Sequence, residues 1–266
     1  MTDDSEMDRK QAELKVQLMG LKLRHMRSVV SMGSTAVIAL RAEMIDDPDL
    51  NLHFSNLRSQ LVTYGRSVDQ HFAALMLMFM VAEIELYLSD AVKAILTVYP
   101  KKLAQAQFKL SEIIDRPQDE IIQMAAERHL YSLMYKKPKE YLAELCEIMS
   151  IDAKLIQPLW GSFVEAKARR DLGSHNDWRV NETYLRKTAE IGIAPNAVIG
   201  QDICPDHEYN QGLTPKFSGL VDAFSDQLEQ RFSGIAGKAQ RIIQAEATSR
   251  LGLIQVLLRT PLAGDL

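Results

Sequence analysis

The amino-acid sequence predicts an all-α protein, a helical bundle preceded by a helical N-terminal extension. Apolar residues recur at spacings of three and four through most of the chain, which is the pattern of amphipathic helices. Runs in which β-branched or aromatic residues alternate with polar ones, the pattern of strands, are nearly absent. Of the 266 residues, 47% are hydrophobic and 25% are charged, as is typical of a folded globular chain. This length allows one large domain, or one domain with an appendage.

Residues 1–67 are predicted to form the extension. The first ten residues are polar and are expected to be frayed, and a helix over residues 11–26 follows from the spacing of Leu14, Leu18 and Leu21. A second helix is predicted over 34–44, before an Asp-Asp-Pro-Asp breaker, and a short one over 51–67. The leucine stripe is narrow, so it must be buried against the bundle, a dimer mate or a regulatory partner. The sequence leaves these three open.

Residues 68–250 are predicted to form the main domain, with a C-terminal tail over 251–266. Its first helix, over 68–99, is apolar on most sides and should lie at the centre of the bundle, ending at Pro100. Pro117 and Pro138 are placed to begin helices, and Asp152 is a candidate N-cap. The further predicted helices cover residues 119–134, 138–149, 152–170, 182–190 and 216–250, with a loop over 191–215.

Charge and cysteine content restrict the function classes. The 31 basic and 35 acidic side chains give a net charge of −4, so any phosphate-binding surface must be local. The two cysteines do not form a CxxC pair, which indicates a reducing compartment. The acidic N-terminus has the wrong sign for a targeting peptide. The longest apolar run, over 72–82, falls short of the ~20 residues that span a membrane. These features predict a soluble, cytoplasmic protein without membrane contact.

The segment over residues 165–187 contains the candidate chemistry. Arg170 and His175 are five residues apart, which on an ideal helix separates them by about 140°. Gly173 and Ser174 lie between them, and a helix break there would let the histidine fold back toward the arginine. Arginine binds phosphate in a bidentate manner, and histidine exchanges protons near neutral pH, so the pair suits phosphodiester chemistry. Further cations surround the pair: Lys167, Arg169 and Arg179.

A plainer interpretation competes with this one. Arginines at a helix end often only satisfy carbonyl groups, and a histidine in a turn is usually a polar turn residue. From the residues alone, the plainer interpretation is favoured. A second cluster in one loop, Asp202, Cys204, Asp206 and His207, has metal-binding residue types but no second half elsewhere in the chain. We therefore predict a solvated loop there, and neither a metal nor a cofactor.

The run Arg170-Asp171-Leu-Gly-Ser-His175 resembles the signature of the HEPN superfamily of ribonucleases, in which an arginine, commonly followed by a polar residue, precedes a histidine by a short spacer. Three longer runs, over residues 79–90, 119–141 and 176–187, are also similar to family members. The resemblance extends over roughly residues 68–250. Residues before 68 resemble no family member.

The resemblance implies a HEPN-like helical bundle that forms a homodimer and brings two Arg/His sets into one cleft. It implies a metal-independent endoribonuclease of bacterial toxin–antitoxin or antiphage systems, with RNA as substrate and an antitoxin or defence protein as possible partner. His175 would transfer the proton, Arg170 would stabilise the transition state, and Asp171 would orient either of them. Asn176 would contact substrate, although capping the broken helix explains it equally well. The predicted substrate contacts also include Arg169, Lys167 and Arg179.

Two departures and one alternative remain. Asp177 stands where some HEPN toxins carry a tyrosine that receives AMP, so regulation by that route is not expected. Gly173 and Ser174 are smaller than the aliphatic pair often found there. The alternative function is a non-catalytic HEPN module that binds nucleic acid or a partner protein. Such modules usually lack the arginine or the histidine, and this sequence has both.

Overall fold

The structure, a computed structural model, describes residues 3–41, 66–103, 106–193 and 196–232. Within these ranges the regular elements are helices. In addition, one isolated antiparallel bridge pairs Arg179 with Asp202. The all-α prediction is confirmed. The elements are α1 (Asp3–Arg41), α2 (Val68–Val98), a 3-10 turn (Pro100–Leu103), α3 (Leu110–Ile113), α4 (Gln118–Met134), α5 (Pro138–Met149), α6 (Ala153–His175), α7 (Glu182–Glu190) and α8 (His207–Arg231).

Helix α2 lies at the centre of the bundle, as predicted. Ser67 and Gln70 form a reciprocal capping box at its start. Its buried side chains, among them Leu77, Ile84 and Ile95, belong to the main hydrophobic core. It packs against α1, α4, α5, α6 and α8. A central helix must be apolar on several sides because neighbours cover it on several sides.

By length and composition, α2 could also cross a membrane. The stretch Gln70–Val98 has a mean hydropathy of 1.8 in its most apolar window, although the longest run free of polar residues is shorter. In the structure, 44% of that window is buried inside the protein. The core helix of a soluble protein can have this same composition, so one such helix does not by itself show a membrane span.

Helix α1 is one continuous element from Asp3 to Arg41. The predicted frayed start and the separate helix over 34–44 are wrong within these bounds, and the predicted helix over 51–67 lies almost wholly outside the described residues. Leu14 is completely buried and Leu18 is 8% exposed, both in the main core. Lys22 forms ion pairs with two carboxylates of α8. The bundle itself therefore covers the leucine stripe.

Helices α4, α5 and α7 match their predictions within one residue, and Asp152 is the N-cap of α6. Helix α8 begins at His207, so the predicted loop over 191–215 is too long. Asp206 caps α8 by accepting a hydrogen bond from the Tyr209 amide, and Pro215 lies inside the helix. Residues beyond 232, including the rest of the predicted last helix and the tail, lie outside the described part.

Candidate functional site

Helix α6 continues without a break through Gly173 and ends at His175. The predicted break at Gly173 is therefore wrong. The structure gives a different reason for a glycine at this position. The indole ring of Trp178 packs against Gly173, and a Cβ atom here would lie 2.3 Å from a ring carbon. Trp178 is itself buried. Gly173 thus allows the chain after the helix to fold back closely onto the last turn.

The turn after α6 has an uncommon backbone. Asp177 has a φ of 46° and Trp178 a φ of 62°, both in the left-handed region. The amides of Asn176 and Trp178 both donate to the carbonyl oxygen of Leu172, which closes the end of the helix. Such a conformation raises the free energy of a non-glycine residue by about 1–3 kcal/mol. It persists only where contacts with the surrounding structure stabilise it.

Arg170 and His175 do not converge within one chain. On the unbroken helix they are about 140° apart and separated by roughly 7.5 Å along the axis. The Nη2 atom of Arg170 lies 3.2 Å from a carboxylate oxygen of Glu85, and its Nε lies 3.1 Å from Asp171. Although close to Asp171, this Nε atom is buried and makes no hydrogen bond. The side chain of His175 is exposed and likewise lacks a partner in the described part of the chain.

Two further lysines join Arg170 in a half-buried group, which we call the charged cluster. Lys167 contacts Glu85, and the Nζ atom of Lys187 lies 3.0 Å from Asp171. Burial and the neighbouring Arg170 lower the pKa of Lys167 to about 8, against the opposite effect of Asp171. Three cations thus face two carboxylates. The cluster consists of Glu85, Lys167, Arg170, Asp171 and Lys187.

Sequence reasoning missed two members of this cluster, Glu85 and Lys187. A signal was available for Glu85, because a carboxylate in an otherwise apolar central helix requires a partner when it is buried. For Lys187 the signal is weaker, since its contact with Asp171 depends on how α7 packs against α6.

Arg169 points away from this cluster, into the protein. It donates hydrogen bonds to Glu165 and to the carbonyl oxygen of Ile203, and its guanidinium stacks 4.1 Å above the ring of Tyr209. The hydroxyl of Tyr184 donates to the same glutamate, and burial raises the pKa of Tyr184. Arg169 and Glu165 therefore link α6 to α7, to α8 and to the chain before α8. Arg169 is engaged in these contacts and does not join Arg170 in the charged cluster.

Asn176 and Arg179 have roles in the turn. The side-chain amide of Asn176 donates to the carbonyl oxygen of Arg179 over 2.6 Å, so this asparagine stabilises the helix end. Arg179 is exposed and donates to the carbonyl oxygen of Gly200. The capping role left open for Asn176 is present in the structure.

The loop before α8 is held by its own polar groups. Asp202 accepts a hydrogen bond from the Cys204 amide and forms an ion pair with Arg66, and Asp206 caps α8. The part of the chain that the structure describes holds no group of three or more metal-binding side chains.

Clefts of about 670 and 800 Å³ lie away from these residues. The first is bordered by α4 and α5 and includes Arg128, His129 and Glu144, and the second lies between α1 and the end of α2. Neither includes Arg170 or His175. His175, the last residue of α6, is exposed in the single chain.

Comparison with known proteins gives one partial likeness. A 66-residue stretch is 36% identical to a nucleoside diphosphate kinase from Chelativorans sp. (strain BNC1), and this match covers 25% of the chain and 47% of the relative. The chain thus spans about half the length of the curated relative it matches. No family model matches the sequence, and no solved structure matches the chain.

Proposed function

We propose that this protein is a metal-independent endoribonuclease of the HEPN type that acts as a homodimer. The observation that carries the proposal is the exposure of one side chain, His175, and the pairing of another, Arg170, near the end of α6. The imidazole of His175 is exposed to solvent, and the guanidinium of Arg170 is hydrogen-bonded to Glu85 and forms an ion pair with Asp171. A proton-transfer group and a paired cation thus lie within the last two turns of α6, in the motif that resembles this superfamily.

The chemistry follows from these groups. The 2′-hydroxyl of the RNA attacks the adjacent phosphorus, a bond forms between them, and the bond to the 5′-oxygen breaks. The products are a 2′,3′-cyclic phosphate and a 5′-hydroxyl. His175 takes the proton from the 2′-hydroxyl or gives one to the leaving oxygen. Arg170 stabilises the charge that develops on the phosphoryl oxygens, and Asp171 orients the guanidinium.

A second copy of the chain completes the site. Arg170 and His175 diverge on α6, so one copy offers a sparse set of groups, whereas two facing copies offer two sets in one cleft. Exposed apolar side chains support such pairing: Leu75 and Leu86 are 62% and 46% exposed on α2. They are eleven residues apart, which places them on the same face within about 20°. Glu85 of the charged cluster lies on the same helix, one residue before Leu86.

The partial likeness to a nucleoside diphosphate kinase supports an enzymatic function of some kind and does not specify RNA cleavage. We infer the class of reaction from the Arg170 and His175 groups. We further propose that the protein acts in the cytoplasm in a toxin–antitoxin or antiphage system, where an antitoxin or defence protein would restrain it.

Two alanine variants test the function. His175→Ala should slow cleavage by about 10²–10⁴, the usual contribution of general acid–base catalysis. Arg170→Ala should cost a similar factor, since one donor to a developing oxyanion contributes ~3–4 kcal/mol. The matched controls are His207→Ala and Arg116→Ala, which remove an exposed histidine and an exposed arginine elsewhere. Cleavage of RNA should be measured with excess EDTA, the ends mapped, and folding checked by circular dichroism.

The outcomes separate the candidate functions. Cleavage that stops in EDTA and returns with magnesium contradicts the metal-independent mechanism. Folded variants that cleave at wild-type rates place the nuclease site elsewhere. One observation favours the alternative of a non-catalytic binding module, because Arg170 is already paired with two carboxylates. Wild-type protein that binds RNA and never cleaves it would establish that alternative.

A further inference from the structure

Arg66 connects the start of α2 to the turn that follows His175. Its Nη2 atom donates to the backbone oxygen and to a side-chain oxygen of Asp177, both over 3.0 Å. Its Nη1 atom lies 3.1 Å from Asp202. The Arg66 side chain is 13% exposed, whereas the side chains of Asp177 and Asp202 are 72% and 45% exposed. The contact therefore lies at the surface, and its forked geometry is of the kind that a guanidinium makes.

Of the two residues that Arg66 contacts, Asp177 belongs to the turn with the uncommon backbone. Asp177 has a left-handed φ, and so does its neighbour Trp178. Two contacts oppose their relaxation: the Trp178 ring packed on Gly173 on the inner side, and Arg66 on the outer side. Strained residues that are held in this way occur often at functional sites. Here the strained turn begins two residues after the histidine.

Residues at the start of α2 and within it therefore contact both the turn after His175 and Arg170. Arg66 directly precedes the N-cap Ser67, whose capping box fixes the start of α2. Further along the same helix, Glu85 holds the guanidinium of Arg170. The turn that follows His175 and the guanidinium of Arg170 are thus both contacted by residues at the start of α2 or within it.

We propose that Arg66 is a positioning residue, which fixes the turn after α6 and thereby the orientation of the His175 imidazole. This inference rests on the proposed function where it concerns cleavage. Its structural part, the dependence of the turn on Arg66, is independent of any activity. Loss of Arg66 lets residues 176–178 relax, and a displacement of about 1 Å in a reacting group can cost 10²-fold in rate.

The structural part is tested by the emission of Trp178. The chain has two tryptophans, so a Trp160→Phe background leaves Trp178 as the only one. In that background Arg66→Ala should shift the emission to longer wavelength, because the indole loses part of its burial. Amide hydrogen exchange should accelerate at Val180 and Ile203, whose amides donate across this turn. Arg66→Lys should restore little, since an ammonium cannot span both carboxylates.

The catalytic part is tested by steady-state cleavage. Arg66→Ala should lower kcat by about 10- to 100-fold with KM nearly unchanged, because the residue orients a group and binds no substrate. Asp177→Asn weakens the ion pair with Arg66 from the side of its exposed partner, and it should lower kcat less than Arg66→Ala. This variant replaces Arg66→Ala in the test if Arg66→Ala does not fold. Arg116→Ala is the control, an arginine paired with Glu120 away from the site.

The possible failures are distinguishable. Unchanged Trp178 emission and amide exchange in folded Arg66→Ala overturn the inference, whatever the activity. Altered emission with unchanged kcat overturns the positioning role and leaves the ribonuclease proposal intact. If the wild type cleaves no RNA, the proposed function fails, while emission and exchange still decide whether Arg66 holds the turn.

Discussion

The fit between Gly173 and Trp178 determines how α6 ends. Alanine normally stabilises a helix interior relative to glycine by about 0.5–1 kcal/mol. At Gly173 the added methyl group would overlap the indole ring, so Gly173→Ala should lower the free energy of unfolding by about 1–3 kcal/mol. Gly212→Ala in α8 is the matched control, because no other side chain lies within 4 Å of its Cβ position. Urea unfolding of both variants measures the difference, and a stabilised Gly173→Ala would contradict the packing.

Lys167 makes the charge of the site dependent on pH. Its pKa is lowered from 10.5 to about 8, so in the folded protein it loses its proton as the pH rises through about 8. The charged cluster then falls from one surplus cation to none. RNA affinity should decrease roughly fivefold between pH 7 and 9, equivalent to ~1 kcal/mol for one charge pair at ~4 Å in water.

This pH dependence can be measured by fluorescence anisotropy with a labelled RNA in a His175→Ala background, which prevents cleavage. Lys167→Arg keeps its charge throughout this range and should abolish the decrease, while Lys139→Arg, an exposed lysine on α5, should not. If the affinity is the same at pH 7 and pH 9, the lowered pKa of Lys167 has no role in binding.

At the scale of single residues, the sequence indicates which side chains are chemically distinctive and does not indicate where they point. Arg170, Asp171 and Lys167 do lie together, because positions three and four apart share a helix face. Arg169 is adjacent in sequence but lies on another face, beside Glu165 and Tyr209. The left-handed turn and the Arg66 contact depend on tertiary packing, which no local pattern records.

At the scale of elements, helix bounds are predictable where a local signal sets them. Pro138 begins α5, Asn181 caps α7, and Asp152 caps α6, and all three are visible in the sequence. The errors arose where tertiary packing overrides a local signal. Gly173 indicates a break only if Trp178 is ignored, and Pro215 is tolerated inside α8 because flanking residues such as Leu213 and Phe217 are buried in the core.

Packing of α1 against the bundle includes a buried histidine. His25 is 7% exposed, its ring centroid lies 6.0 Å from that of Tyr87, and burial lowers its pKa below 6.5 despite the nearby Glu83 and Asp222. The unfolded chain therefore binds a proton more readily than the folded one. This histidine costs no stability above pH 6.5, and stability is lost as the pH falls from 6.5 toward the lowered pKa.

The prediction is a smaller acid sensitivity in His25→Gln, which cannot titrate. The free energy of unfolding in urea should fall less between pH 7.5 and 5 in this variant than in the wild type. His207→Gln, which removes an exposed histidine, should retain the wild-type difference. Equal pH dependence in all three proteins would show that α1 packing is insensitive to protonation of His25.

At the scale of the whole molecule, the proposed homodimer predicts that assembly and cleavage depend on the same α2 face. Burial of a leucine contributes about 1.5–3 kcal/mol, so replacing Leu75 and Leu86 by glutamate should weaken dimerisation at least about tenfold. Sedimentation velocity over a range of concentrations should show a dimer for the wild type and a shift toward monomer for this variant. Leu155→Glu, at an equally exposed leucine near the other end of α6, is the control.

Cleavage should fall in proportion to the dimer fraction, because one copy does not bring Arg170 and His175 together. A wild-type monomer that cleaves RNA at full rate would contradict the shared cleft, since a single unbroken α6 would then suffice for catalysis.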